Sequence, residues 1–247
     1  MLGEGADILD IGGESTRPNA NPLTADEEQS RTFPVIEAIR QHHPEAILSI
    51  DTFHASTARL AIEAGAEIVN DVSGHLWDPG MSTTCAQLGC GAILMHTRGR
   101  PQDWPTLPAL APSEVLPLII TQLKERLEAA TAAGIARNRI VLDPGLGFGK
   151  RLDENYPILA RLDQFNQLNL PILVGASRKR FLAHTLSQNP SLSLLLNGEI
   201  PATADRIHAT TAANVAAILA GAHILRVHDV RPAVEAATIA DCILAAL

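Results

Sequence analysis

A chain of 247 residues is long enough to bury a sizeable core, and a single α/β barrel can fill that length without a domain boundary. Hydrophobic residues make up 46% of it and aromatics only 3%, so the interior must be built from Ala, Leu, Ile and Val, which favours parallel strands and amphipathic helices over a sandwich. The formal net charge of -8, with no Lys/Arg run, argues against a nucleic-acid or anionic-lipid surface, so an anionic ligand would have to be held by a local site.

Cys85, Cys90 and Cys242 are odd in number and lack CxxC spacing, which fits a reducing cytoplasm, with all three thiols expected to be buried as small hydrophobes. No apolar run is long enough for a membrane span, and the opening residues lack the order of a signal peptide, so a cytoplasmic protein with no membrane partner is expected.

In chain order, seven short apolar runs recur at 8–16, 47–52, 68–74, 92–97, 140–145, 172–177 and 224–230, each with a polar or glycine-containing tail. They read as buried parallel strands. Segments of helical period lie between them, including 54–64, 113–133 and 205–220, each closed by a glycine suited to a left-handed cap. Before the second strand, Thr24 and Glu27 have capping-box spacing, and Pro34 is expected to kink the helix they open. Residues 98–112 carry Pro101, Pro105, Pro108 and Pro112 and read as a surface loop. Trp77 and Trp104 lie in loops, where packing and substrate cover are both open. The other histidines, His75 among them, read as surface or helix residues. Alternating strand and helix with no linker predicts one domain over 1–247, a TIM-type barrel with seven of eight βα units. The opening MLGEGA resembles the last turn of a helix, so an upstream unit is expected, and the first and last strands should have unpaired edges.

In such folds the chemistry gathers at the carboxyl ends of strands, which here supply Asp10, Asp51, Asn70, His96, Asp143, Ser177 and His228. Asp51, Asn70 and Asp143 together could grip the N–H edge of a guanidine-like heterocycle. Oxygen ligands of this kind also suit magnesium or calcium, so a divalent-metal cluster stays open. The last two strands bring positive charge: Ser177, Arg178, Lys179 and Arg180 follow one, and Arg226 and His228 sit on alternate positions of the next, where both can face a phosphate. Thr16 and Arg17 add a hydroxyl and a guanidinium fork of the same aptitude. Gly145, Gly147 and Gly149 fit neither GxGxxG nor GxxxxGK[ST], which argues against NAD and ATP; they are expected to let the backbone pass close to a flat ligand, with Phe148 against its ring.

The segments DILDIGGESTRP, SIDT, VNDVSG, LMHTRGRP, LDPGLGFGK, LVGASRK and GAHILRVHDV resemble, in order, the signature segments of the dihydropteroate synthases, from residue 7 to about 230. The resemblance implies an enzyme of folate synthesis, a transferase in which hydroxymethyl-dihydropterin pyrophosphate loses pyrophosphate and para-aminobenzoate attacks the exposed carbon. By it, Asp51, Asn70, Asp143 and Lys179 hold the pterin, with Asp51, Asp143 and Lys179 as the catalytic set. Thr16, Arg17, Arg226 and His228 take the pyrophosphate, while Pro18, Phe148, Ser177 and Lys179 border the aminobenzoate, Gly175 and Val227 are further substrate-binding positions, and Asp10 braces the site from behind. The family's first strand and its Asn-x-Thr-Pro-Asp-Ser-Phe loop have no counterpart here. That asparagine binds the magnesium accompanying pyrophosphate, so magnesium is the implied cofactor and no ligand for it is assigned in this chain. Inefficient catalysis is therefore expected. A pterin-dependent methyltransferase and a non-catalytic pterin binder remain alternatives, the first disfavoured by SRK and RVH. Family practice and the Ala-rich helices near 205–220 and 233–246 imply a homodimer.

Overall fold

The seven apolar runs form seven parallel strands: β1 (Ile8–Gly12), β2 (Ile47–Asp51), β3 (Ile68–Asp71), β4 (Gly91–Met95), β5 (Ile140–Asp143), β6 (Leu173–Val174) and β7 (Ile224–Leu225). The structure, a computed structural model, describes residues 1–15, 22–195 and 199–246; Thr16, Arg17 and Pro18 lie outside the described residues. β1 to β5 make one five-stranded sheet in sequence order, β6 and β7 pair separately, and a single bridge between Leu142 and Ile172 joins the two. Parallel neighbours require a crossover. Helices supply them, namely α1 (Ala25–His42), α2 (Ala55–Glu63), α3 (Met81–Leu88), α4 (Pro112–Ala132), α5 (Tyr156–Ala160), α6 (Arg180–Gln188), α7 (Pro190–Leu195) and α8 (Ile207–Leu219), and α9 (Val230–Leu244) follows the last strand.

Side-chain alternation along the strands divides the interior in two. Leu48, Ile50, Val69, Leu94, Leu142, Ile172 and Val174 join the main apolar core with residues of the helices, such as Ile36, Leu116 and Phe165. Ser49, Asn70, Ile93, Met95, Asp143 and Leu173 instead line a central cavity. Strands in sequence order around a lumen, with helices outside, make a TIM-type α/β barrel. Among the described residues β1 and β7 pair with no strand on their outer sides, and Ile8, Leu9, Ile224 and Leu225 are only half-buried there. The barrel therefore has a seam between its first and last strands.

Local sequence explains the helix boundaries. The Thr24 hydroxyl accepts the Glu27 N–H at 3.3 Å and the Glu27 carboxylate accepts the Thr24 N–H at 2.9 Å, so the expected capping box opens α1, with Pro34 inside it. Leu2–Glu4 form a 3-10 turn closed by left-handed Gly5, as the opening residues imply. Three expectations need correction. Cys242 is exposed, because α9 turns that position to its outer side, while Cys85 and Cys90 are buried. His75 is half-buried with φ +67°, and burial pulls its pKa down to about 4. Residues 98–112 are more than a surface loop: they contain a 3-10 turn at Trp104–Thr106 and are tied to the β5 loop by Arg98, Arg151 and Glu154. No helix among the described residues is long and apolar enough to cross a membrane.

Candidate active site

The strand register fixes the height of each polar group at the carboxyl ends: Asp51 is level with Asn70, and Asp143 with Met95. Asn70 donates from Nδ2 to Asp10 Oδ2 at 3.1 Å. Arg226 reaches across the seam from β7, donating from Nε to Asp10 Oδ2 and from Nη2 to Asp51 Oδ2, both at 2.6 Å. These contacts take two of its five N–H donors and leave the guanidinium able to bind an anion on its other edge. Asp10 does brace Asn70 and Arg226, but it also faces the cavity, and its buried Oδ1 has no hydrogen-bond partner among the described residues. A buried acceptor in that condition is a strong place for a ligand N–H.

Burial, reinforced by the charge of Asp10, pushes the Asp51 carboxyl up to about 7 against the pull of Arg226. Asp143 is also raised by burial, opposed by the Gly145 N–H that it accepts at 2.7 Å and by Lys179. Burial lowers the Lys179 ammonium to about 8, and its Nζ stands 4.1 Å from the centroid of the Phe148 ring. Groups of opposite charge type pushed toward neutrality beside one cleft are often found at reacting sites. His228 joins them from the β7 tail, its Nδ1 2.9 Å from Ser177 Oγ, which also accepts the His228 N–H at 3.2 Å.

These side chains surround a cavity of about 690 Å³ lined by Asp10, Asn70, Asp143, Phe148, Gly175, Ser177, Lys179, Arg226, Val227 and His228. That volume suits a drug-sized ligand. The described residues expected from sequence are thus brought together, with Asp51 reached through Arg226. His96 is not on the cavity: it is buried, bonded through Nε2 to Gln122 Oε1 at 2.8 Å, and burial holds its pKa well below the ordinary value.

The glycine-rich loop is corrected in one respect. Gly145 (φ +67°) and Gly149 (φ +68°) allow close approach to the chain itself, since a Cβ at Gly145 would strike the His96 carbonyl and one at Gly149 would lie 2.6 Å from Arg98 Cβ. Lys150 fills the space beneath, donating to the carbonyls of Gly145, His96 and Phe148 at 2.7, 3.1 and 3.2 Å. Burial favours the neutral amine, but three carbonyl acceptors need the three N–H donors of the ammonium. Its only sequence signal is a lysine closing a glycine-rich strand tail.

Residues 1–228 match the family described as pterin binding enzyme. The chain belongs to that family. It is 39% identical over 246 residues to the dihydropteroate synthase of Escherichia coli strain K12, covering 100% of this chain and 81% of that protein. The Bacillus subtilis dihydropteroate synthase is 37% identical, with 99% and 78% covered. Among solved structures, the Yersinia pestis dihydropteroate synthase in a sulfonamide drug complex superposes with a TM-score of 0.88 at 37% identity, covering 99% of this chain and 82% of that one. A Xanthomonas albilineans dihydropteroate synthase with 4-aminobenzoic acid gives 0.85 at 38%, covering 99% and 81%. Family and barrel class agree with the resemblance carried by the strand-end motifs.

Proposed function

We propose that the chain is a dihydropteroate synthase of folate biosynthesis, joining hydroxymethyl-dihydropterin pyrophosphate to para-aminobenzoate. The observation that carries the reading is the meeting, in one cavity, of carboxylates at Asp10 and Asp143 with cations at Lys179 and Arg226, the last of which also binds Asp51 just behind the cavity wall. The methylene C–O bond breaks with its electron pair leaving on pyrophosphate. The amine of para-aminobenzoate forms the new C–N bond and loses a proton. Ionised Asp51 and Asp143 stabilise positive charge building on the pterin, while Arg226, Val227 N–H and His228, with Thr16 and Arg17, receive the departing anion. Asn70 and Asp10 complete the pterin edge. Phe148, Lys179, Gly175, Ser177 and Pro18 border the arylamine, a role for which the 4-aminobenzoic acid held by the Xanthomonas albilineans relative is a precedent.

Among the described residues no three His, Cys, Asp or Glu side chains converge as a metal cage, and Arg226 occupies oxygens of both Asp10 and Asp51. The described residues therefore do not fit a protein-held magnesium, and no step above runs through one. Magnesium is proposed only as a counter-ion arriving with pyrophosphate. A cytoplasmic homodimer completes the reading. Its support is the outer side of α9, where Ile239 is 62% and Ile243 45% exposed one turn apart. Sedimentation showing only monomer at micromolar concentration removes the dimer. Pyrophosphate release and dihydropteroate formation by the purified chain, with both substrates and magnesium, test the reaction; neither product would overturn it.

A further inference from the structure

We infer that Trp104 is a positioning residue for the arylamine half of the reaction, acting through Phe148; the inference rests on the reaction proposed above. Trp104 does not line the cavity. Its ring meets Phe148 edge to face, with centroids 5.6 Å apart and planes at 85°, while the Lys179 ammonium stands over the same Phe148 ring at 4.1 Å. Phe148 is thus fixed from two sides by residues of the β4 and β6 loops. Such pairs have a preferred geometry, so the indole sets the tilt of the phenyl ring as well as its place.

The loop that carries Trp104 is built to hold it still. Asp103 caps its own turn, accepting the Arg100 N–H on Oδ2 at 2.9 Å and the Thr106 hydroxyl on its carbonyl at 2.9 Å. Arg98, half-hidden beside Glu154, donates to the Gly149 carbonyl at 3.1 Å and to the Pro108 carbonyl at 3.0 Å. Arg151 donates to the Leu107 carbonyl at 2.8 Å, and Glu154 accepts the Leu110 N–H at 2.7 Å. Both ends of the β4 loop are therefore bolted to the β5 loop on which Phe148 sits. The indole Nε1 is buried with no hydrogen-bond partner among the described residues, and packing against Phe148 is the ring contact that holds Trp104 in place.

A ring that acts only by orienting Phe148 affects one substrate. Trp104→Ala is expected to raise KM for para-aminobenzoate about tenfold while KM for the pterin pyrophosphate stays within about twofold, and Trp104→Phe is expected to restore most of the loss. Trp77→Phe leaves Trp104 as the sole tryptophan of the two, and adding Phe148→Ala should then shift its emission to the red. An active Trp104→Ala with unchanged aminobenzoate KM, or with both KM values raised alike, overturns the inference. So does an emission maximum that Phe148→Ala leaves in place. A wild-type chain that releases no pyrophosphate defeats the reaction itself, and the emission experiment still decides whether Trp104 holds Phe148.

Discussion

The two sides of the cavity are held by different means. Asp10, Asp51, Asn70 and Asp143 sit within strands of the five-stranded sheet, where backbone pairing fixes each one's height and direction. Lys179, Arg226 and His228 follow strands of only two residues, and side chains hold their tails together. Arg178, in a left-handed conformation at φ +58°, forks onto Asp229 at 2.9 and 2.5 Å, while Arg206 donates to the Arg178 carbonyl at 2.9 Å and Ser177 bonds His228. The acidic bank is held by backbone pairing and the cationic bank by side-chain contacts, so the first is expected to be the more rigid and the second the more adjustable. In the proposed reaction this arrangement would set a fixed negative field beside the pterin and let the positive groups follow the departing anion.

The strongest way to break this comparison is Asp51→Asn, which keeps shape and removes charge. Loss of a preorganised anion should cut kcat/KM by about 10²–10³-fold, mainly in kcat, with stability unchanged or improved because a buried charge is gone. The wild-type rate should climb through pH about 7 as Asp51 ionises, and the variant should lose that limb. Stability has the opposite sign. Asp51 titrates near 3.8 when unfolded and about 7 when folded, so the unfolded chain releases the proton first. Its contribution is harmless below the lower value, falls as pH rises between the two, and stays constant above the upper one. Urea titrations across that window should show a shallower decline for Asp51→Asn. Wild-type kcat/KM in the variant would mean that the acidic bank supplies no field.

The contrast also separates what was legible in the sequence from what was not. Asp10, Asp51, Asn70 and Asp143 end or interrupt apolar runs of period two, so fold class and strand ends fix their neighbourhood. The bridge made by Arg226 was not legible, because it joins residues 216 and 175 positions apart across a seam with no pairing. Alternation placed Arg226 and His228 on one side but could not say that the first turns to carboxylates and the second to Ser177. Cys242 is misplaced when read by residue type alone, because its exposure is decided by the side of α9 on which it falls. Trp104 and Lys150 act through contacts between different loops, which no local period records.

A second test asks whether the β5 loop belongs to the rigid bank. Lys150→Met removes an ammonium that serves three carbonyls and leaves them without its N–H groups. The expected cost is about 3 kcal/mol, a fall in Tm of roughly 6–12 °C. Because Lys150 also favours the ionised form of Asp143, the fall in rate at low pH that belongs to Asp143 should begin at a higher pH, while the limb near 7 that belongs to Asp51 stays in place. Denaturant midpoints with an unchanged slope measure the first effect and a pH series the second. A variant of wild-type stability would show that the glycines hold the loop without the lysine.

The smallest expected effect tests the adjustable bank. Ser177→Ala deletes the oxygen that accepts the His228 N–H at 3.2 Å and pairs with its ring at 2.9 Å. One such bond contributes about 1 kcal/mol, so kcat/KM should fall roughly fivefold, with Tm changing by about 2–4 °C at most. The loss is small because the Arg178–Asp229 fork still ties the β6 tail to the β7 tail, and His228 can be drawn into place by the anion it meets. Steady-state kinetics on Ser177→Ala beside Asp51→Asn make the comparison direct. If the serine costs as much as the aspartate, the cationic tails are as tightly preorganised as the sheet, and adjustability is lost as the distinction between the two banks.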